Sequence, residues 1–206
     1  DDVQGLGGDW YDVLELGQGK AYFSIGDVVG HGLPAVEDMA QLRSAGRALA
    51  LQGLSPARIL AELNGFTRLA SNGKFATMNV ALFDPADRSM SYASAGHPPP
   101  FLLRVGTGEI TRLTTGHGPV LGPVDHVSYA QGHLKVAPGD IVVMYTDGLI
   151  ERRGQDIETG MRRAAQLISQ WPSGVPLDLA CRALCQTLAP PPRNDDICVL
   201  VLRFGV

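Results

Sequence analysis

The sequence has little cysteine, no long apolar run and no cluster of basic residues. Only three cysteines, Cys181, Cys185 and Cys198, occur among 206 residues. An odd number without regular spacing argues against a secreted disulfide scaffold, and no Cys or His pair has zinc-site spacing. Cys181 and Cys185 stand on an expected helix, where they read as small core-facing residues. The expected compartment is a reducing cytoplasm. The longest apolar runs are strand-length, far short of the ~18 residues of a membrane span, and no signal peptide is expected. The net charge is −4. Without clustered Lys and Arg, neither nucleic acid nor an anionic membrane is an expected partner. Internal repeats and low-complexity linkers are absent as well. What remains is 45% hydrophobic and 18% charged, a globular composition able to bury a sizeable core. The length suits one domain over residues 1–206. The opening "DDVQGLGGDWYD" is polar, Gly-rich and runs straight into a strand, as expected of the C-terminal domain of a longer signalling protein with a sensory or regulatory domain before it.

Hydrophobic periodicity divides the chain clearly. "WYDVLEL" and "KAYFSIGDV" read as strands around the turn "GQG". "LPAVEDMAQLRSAGRALALQG" reads as a helix, with Pro34 in its first turn and Gly53 at its end. A second helix follows in "SPARILAELNGFTRLASNG", with Ser55 as N-cap, Pro56 at the first helical position, and Ile59, Leu63, Phe66 and Ala70 as its apolar stripe. The period then changes to two. "FATMNVALFD", "SMSYASAG", "FLLRV", "EITRLT", "VSYAQGHLKV" and "DIVVMYTD" read as strands joined by short Gly, Pro and Asp turns. Helices are expected near Glu158–Gln170 and Leu177–Leu188, and "ICVLVLRF" closes the chain as a strand. Hairpin-joined strands and paired helices predict an α+β class. The expected architecture is a four-layer sandwich, two packed antiparallel β-sheets flanked by pairs of α-helices.

Acids recur at the ends of the apolar strands. Asp12 lies near the start of "YDVLEL", Asp27 ends "AYFSIGD", Asp147 ends "IVVMYTD", and Asp195 and Asp196 open the last strand. If those strands are neighbours, the carboxylates converge. Converging carboxylates repel one another and lose hydration. They must share protons or bind a cation, and the lack of Lys or Arg in these motifs favours a cation. An all-oxygen donor set selects Mg²⁺ or Mn²⁺. Several carboxylates suggest two such ions, as in two-metal hydrolases.

The motifs "GGDWYD", "GDVVGHGLPA", "FATM", "AGHPPP", "YTDGLIE" and "NDDI" occur in the order found in bacterial metal-dependent serine/threonine protein phosphatases. The chain resembles the SpoIIE/RsbU-like branch of the type 2C (PPM) superfamily from Gly7 to Leu202. The resemblance implies a β-sandwich with outer helices and hydrolysis of phosphoserine or phosphothreonine on a signalling protein, commonly an anti-sigma-factor antagonist. It implies two divalent cations, Mn²⁺ or Mg²⁺, and direct attack by a hydroxide bridging them. Carried over by motif, Asp12 would ligate the first metal and Asp27 would bridge both. The backbone carbonyl of Val28 would complete the first shell. Asp147 and Asp195 would hold the second metal, with Asp196, in the position of the superfamily's usual Asn, as the neighbour most easily confused with Asp195.

The departures are specific. Gly8 stands where many eukaryotic relatives have a phosphate-gripping Arg, and Val29 where they have a His. His31 lies two residues further on. His97 of "AGHPPP" falls near a third-metal Asp of relatives, and reads either as an outer-shell or substrate residue or as a surface residue on a loop shaped by its prolines. A catalytically silent, phosphatase-like sensor is the alternative reading of the same fold. A phosphoaspartate enzyme would need an Asp-x-Asp pair after a strand, which neither "GDVVG" nor "TDGL" supplies.

Overall fold

The computed structural model describes residues 7–70, 74–152, 154–191 and 195–205. The chain divides into two compact units, Asp1–Pro99 with Thr114–Lys135, and Pro100–Leu113 with Val136–Val206. Each unit is a sheet backed by a pair of helices, the α+β class that the periodicity predicts.

The first unit begins with the hairpin of β1 (Trp10–Gly17) and β2 (Lys20–Val28), followed by helices α1 (Leu33–Leu51) and α2 (Pro56–Ala70), then β3 (Ala76–Asp84) and β4 (Ser89–Ala95). The second unit takes up β5 (Phe101–Arg104) and β6 (Glu109–Arg112) before the chain returns to the first for β7 (His117–Gly118) and β8 (Gly132–Lys135). The first sheet has the order β1-β2-β3-β4-β7, with β8 also paired to β4. All its pairings are antiparallel except β4 with β7. Alternation along each strand sorts the side chains onto two faces. Trp10, Tyr22, Val28, Ala76, Met78, Val80, Ala93 and Ala95 form one core with Leu42 and Ala50 of α1 and Ile59, Leu60 and Leu63 of α2. Each of the large aliphatic side chains there contributes ~1.5–3 kcal/mol by leaving water. Truncating fully buried Leu63 to Ala would cost ~2–5 kcal/mol.

The stripe of α2 is rotated from its expected position. Ile59 and Leu63 are buried as predicted, but Ala70 is exposed and Asn64 and Thr67 are buried instead. Polar groups are tolerated there because they are bonded. Asn64 accepts the Gly122 N–H at 2.8 Å and donates to the Val124 carbonyl at 2.9 Å, and Thr67 donates to the Leu63 carbonyl at 2.8 Å. The strand expected over "VSYAQGHLKV" shortens to β8. Tyr129 packs its ring onto Gly118, where a Cβ would lie 2.6 Å from the ring, and donates to the Pro119 carbonyl at 3.0 Å. That packing takes residues 127–131 out of the ladder.

The second unit adds β9 (Ile141–Tyr145), α3 (Ile157–Ser169), α4 (Leu177–Leu188) and β10 (Val199–Arg203). Its sheet is antiparallel throughout, in the order β10-β9-β5-β6. Asp156 caps α3 by accepting the Glu158 N–H. Phe101, Leu103, Ile141, Val143 and Tyr145 pack with Ala164 and Ile168 of α3 and Leu184 of α4. Cys181 and Cys185 are half-buried along α4, beside this core. No helix among the described residues is long and apolar enough to cross a membrane.

Candidate active site

The strand ends of the first sheet carry one pair of acids. In the β1–β2 ladder Trp10 faces Gly26 and Asp12 faces Ser24. The ladder extends one step beyond the named strand, where the Val28 N–H donates to the Gly8 carbonyl at 3.3 Å. Asp9 therefore stands directly opposite Asp27. In an antiparallel pair, opposite residues project from the same face, with Cβ atoms ~4.5–5.5 Å apart. Close approach of the chains here requires glycine. A Cβ on Gly8 would lie 2.3 Å from the Val28 carbonyl oxygen. Val28 itself buries its side chain in the helix-covered core, which leaves only its backbone near the acids.

Asp12 is three residues from Asp9 and so belongs to the opposite face. It is 3% exposed, beneath α1. Arg47 of α1 grips its carboxylate with two parallel hydrogen bonds, Nε to Oδ2 and Nη2 to Oδ1, each 2.5 Å. The Val13 N–H adds a third bond to Oδ1 at 3.0 Å. The expectation that Asp12 ligates a metal with Asp27 is thus corrected. The sheet separates the two carboxylates, and a guanidinium already holds that of Asp12. Asp9, in the same "GGDWYD" motif, is the acid that shares a face with Asp27. The signal was strand parity: two acids three apart cannot face the same side.

The second unit carries another pair. Asp147 follows β9 and opens a short 3-10 helix, Asp147–Leu149. Burial raises its pKa, and the charges of Asp195 and Glu151 raise it further. Asp195 is therefore its close neighbour, as the motifs implied. Exposed Glu151 lies beyond the 3-10 turn, yet near enough to be felt. Gly148 permits the pairing, because a Cβ there would lie 1.9 Å from the Asp196 carbonyl oxygen and 3.4 Å from the Asp195 Cβ. Asp196 is exposed, and its N–H donates to Asp195 Oδ1 at 2.9 Å. Behind the pair, Thr146 extends the β9–β10 ladder. Its N–H donates to the Cys198 carbonyl at 3.0 Å, and its hydroxyl accepts the Cys198 N–H at 2.9 Å. Arg152 clamps the turn by donating to the carbonyls of Gly148 (3.3 Å), Glu151 (2.5 Å) and Leu188. Arg153 and Asn194 lie outside the described residues. Among the described residues, no three His, Cys, Asp or Glu side chains are gathered as a ready metal cluster.

Gly30 and Gly32 flank exposed His31 with φ of 112° and 77°. These are left-handed values suited to glycine, and they turn the chain from β2 into α1. His97 is not the surface residue that one sequence reading allowed. It is 1% exposed, and its Nδ1 lies 2.7 Å from Thr77 Oγ1. The surroundings of Cys181 work against its use as a nucleophile. A hydrogen bond with Cys185, reinforced by burial, pushes the Cys181 thiol's pKa up.

Comparison with known proteins supplies the family. The family described as Stage II sporulation protein E (SpoIIE) matches residues 17–205. The chain is 29% identical over 152 residues to the phosphoserine phosphatase RsbU of Bacillus subtilis (strain 168), covering 73% of this chain and 45% of that protein. It thus spans less than half of that relative's length. Its structure is similar to the RsbU and RsbW domains of Rv1364c from Mycobacterium tuberculosis, with a TM-score of 0.87 and 33% identity, covering 100% of this chain and 57% of that one. It is also similar to the PP2C phosphatase domain, with a fragment of the regulatory domain, of SpoIIE from Bacillus subtilis. There the TM-score is 0.80 at 20% identity, over 97% of this chain and 58% of the other.

Proposed function

The chain belongs to the SpoIIE family, and from that premise we propose that it is a metal-dependent protein phosphatase acting on phosphoserine or phosphothreonine. The observation that carries this reading is the cross-strand pair of Asp9 and Asp27. Like charges directly opposite on one sheet face destabilise it, and a divalent cation converts that repulsion into attraction. Asp147 and Asp195 repeat the arrangement, with the pKa of Asp147 raised by burial and by its partner. Both donor sets are oxygen only, which fits Mg²⁺ or Mn²⁺ and not a soft metal.

In this reading Asp9 and Asp27, with the Val28 carbonyl, hold one cation, and Asp147 and Asp195 hold a second. Cations there supply a water of lowered pKa as the attacking group and neutralise charge on the phosphoryl oxygens. The chain's own part is placement. The β1–β2 ladder fixes the first pair, and the Thr146–Cys198 bonds and the Arg152 clamp fix the second. Direct attack requires no side-chain nucleophile, consistent with the raised Cys181 thiol.

The substrate class is a phosphorylated cytoplasmic signalling protein of the anti-sigma-factor-antagonist type. Similarity to the phosphoserine phosphatase RsbU supports the phosphoserine part of this reading. The test is hydrolysis of p-nitrophenyl phosphate and of a phosphoserine protein with added Mn²⁺, by the wild type and by Asp27→Asn and Asp147→Asn. Turnover should require the metal and disappear in both variants. Metal-independent turnover, or none on any phosphosubstrate, would overturn the proposal.

A further inference from the structure

The "AGHPPP" segment carries a buried histidine for which direct attack by water has no use. We propose that His97 and Thr77 form a hydrogen-bonded relay that orients the Asp27 carboxylate, which makes both of them positioning residues. This rests on the reading of Asp27 as a cation ligand.

The geometry is that of a row across the sheet. Asp9 faces Asp27, and Asp27 faces Thr77 in the β2–β3 register. Opposite residues share a face, so the Thr77 hydroxyl stands on the same face as the Asp27 carboxylate. Behind Thr77, His97 Nδ1 lies 2.7 Å from Oγ1. The backbone that carries the ring is fixed from several directions. Ser94 Oγ donates to the His97 carbonyl at 3.1 Å, Asn79 Nδ2 donates to the Pro98 carbonyl at 2.8 Å, and the Gly96 N–H donates to the Gly118 carbonyl at 2.8 Å.

A threonine hydroxyl has one proton to give. If Nδ1 were bare, Thr77 would give that proton to the ring and turn only lone pairs toward Asp27. An ionised carboxylate accepts and cannot donate, so that arrangement sets acceptor against acceptor. If Nδ1 carries the proton, it donates to Oγ1, and the Thr77 O–H is left to donate to Asp27. The carboxylate selects this second arrangement. One Asp27 oxygen is then fixed by Thr77, and the carboxylate's orientation is set before a metal arrives. Outer partners of this kind typically govern ~10–100-fold in metal affinity.

The test combines two measurements on the whole chain. Histidine ¹⁵N spectra of the metal-depleted protein should show His97 protonated at Nδ1. Calorimetric Mn²⁺ titration should show roughly tenfold weaker binding for Thr77→Val, whose shape matches but which cannot relay a proton. Thr77→Ser, which keeps the hydroxyl, should bind within about twofold of wild type on the same reasoning. A bare Nδ1 in the wild type, or a Thr77→Val protein that binds Mn²⁺ as tightly as wild type, overturns the relay. Asp27→Asn is titrated alongside. If it keeps wild-type Mn²⁺ affinity, the cation site itself fails; if it loses affinity while Thr77→Val does not, only the relay fails.

Discussion

Asp9 and Asp12 differ by three positions and by the face on which they stand, and paired substitutions should separate their roles. Asp12→Asn removes the charge from the buried member of an ion pair whose side chains are 4% and 44% exposed. It weakens two hydrogen bonds to a guanidinium, a kind of bond worth ~1.5–3 kcal/mol each. Part of that loss is recovered, because the half-exposed Arg47 can turn to water and the Asn amide oxygen still accepts one bond. The net cost to the folded chain should be about 2 kcal/mol, which for a chain of this size lowers Tm by roughly 4–8 °C. Asp9→Asn does the reverse. It removes a like charge from opposite Asp27, so the melting temperature in EDTA should hold or rise. It also removes a proposed cation ligand, so Mn²⁺-dependent turnover should fall at least about a hundredfold. The assay is a thermal melt in EDTA beside p-nitrophenyl phosphate hydrolysis under a Mn²⁺ titration, for both variants and the wild type. Asp12→Asn should melt early yet keep wild-type turnover below its transition. If it abolishes metal-dependent turnover without lowering Tm, Asp12 is the ligand and the parity reasoning is refuted.

Asp147→Asn should abolish turnover yet stabilise the metal-free chain. The pKa of Asp147 is raised on folding, so its penalty is absent below the ordinary carboxylate range and grows as pH rises through the raised native value. Urea melts in EDTA should therefore show the variant's advantage at pH 7 and none at pH 3. Gly148→Ala drives a Cβ to 1.9 Å from the Asp196 carbonyl. It should cost ~1–3 kcal/mol as an overpacked site, and the displaced Asp195 should weaken Mn²⁺ binding in calorimetry. Arg152→Met removes the donor shared by three carbonyls. A loss on the order of 2 kcal/mol is expected, with kcat falling more than the KM for p-nitrophenyl phosphate changes. Metal should stabilise the wild type by about 2.7 kcal/mol at a hundredfold excess over its Kd, read as a rise in Tm that EDTA reverses.

Local pattern carried most of the fold and part of the site. The β-prone apolar runs in "KAYFSIGDV" and "DIVVMYTD" placed β2 and β9 to within a residue or two, and the strand-to-turn step located Asp147. Its pairing with Asp195 came from the resemblance, through the separate motifs "YTDGLIE" and "NDDI". Faces were harder to read. In "GGDWYD" either acid can look inward, and the choice was made by Arg47, thirty-five residues away on another element. The α2 stripe shifted for a similar reason. Asn64 and Thr67 look like surface residues in sequence, yet Gly122 and Val124 supply bonds that let Asn64 be buried. His97 followed the same rule in a loop. Proline-rich loops are usually exposed, and only the contacts with Asn79 and Thr77 of β3 reveal that this one is pinned inward. Two-residue β7 has no periodicity to read, since its pairing comes from where the chain re-enters the sheet.

β1 ends the strand order of its sheet, with β2 as its neighbour in the ladder. Its mouth, at Asp9, is where the carboxylates repel. An edge strand pushed apart at one end should unzip from that end first, and its amides should trade hydrogen for deuterium ahead of those of β2 and β3. A cation held there by the proposed pair would act as a rivet at the open end. Filling the site should slow exchange progressively from Trp10 inward, so that the timing of isotope uptake along one strand reports whether the centre is loaded.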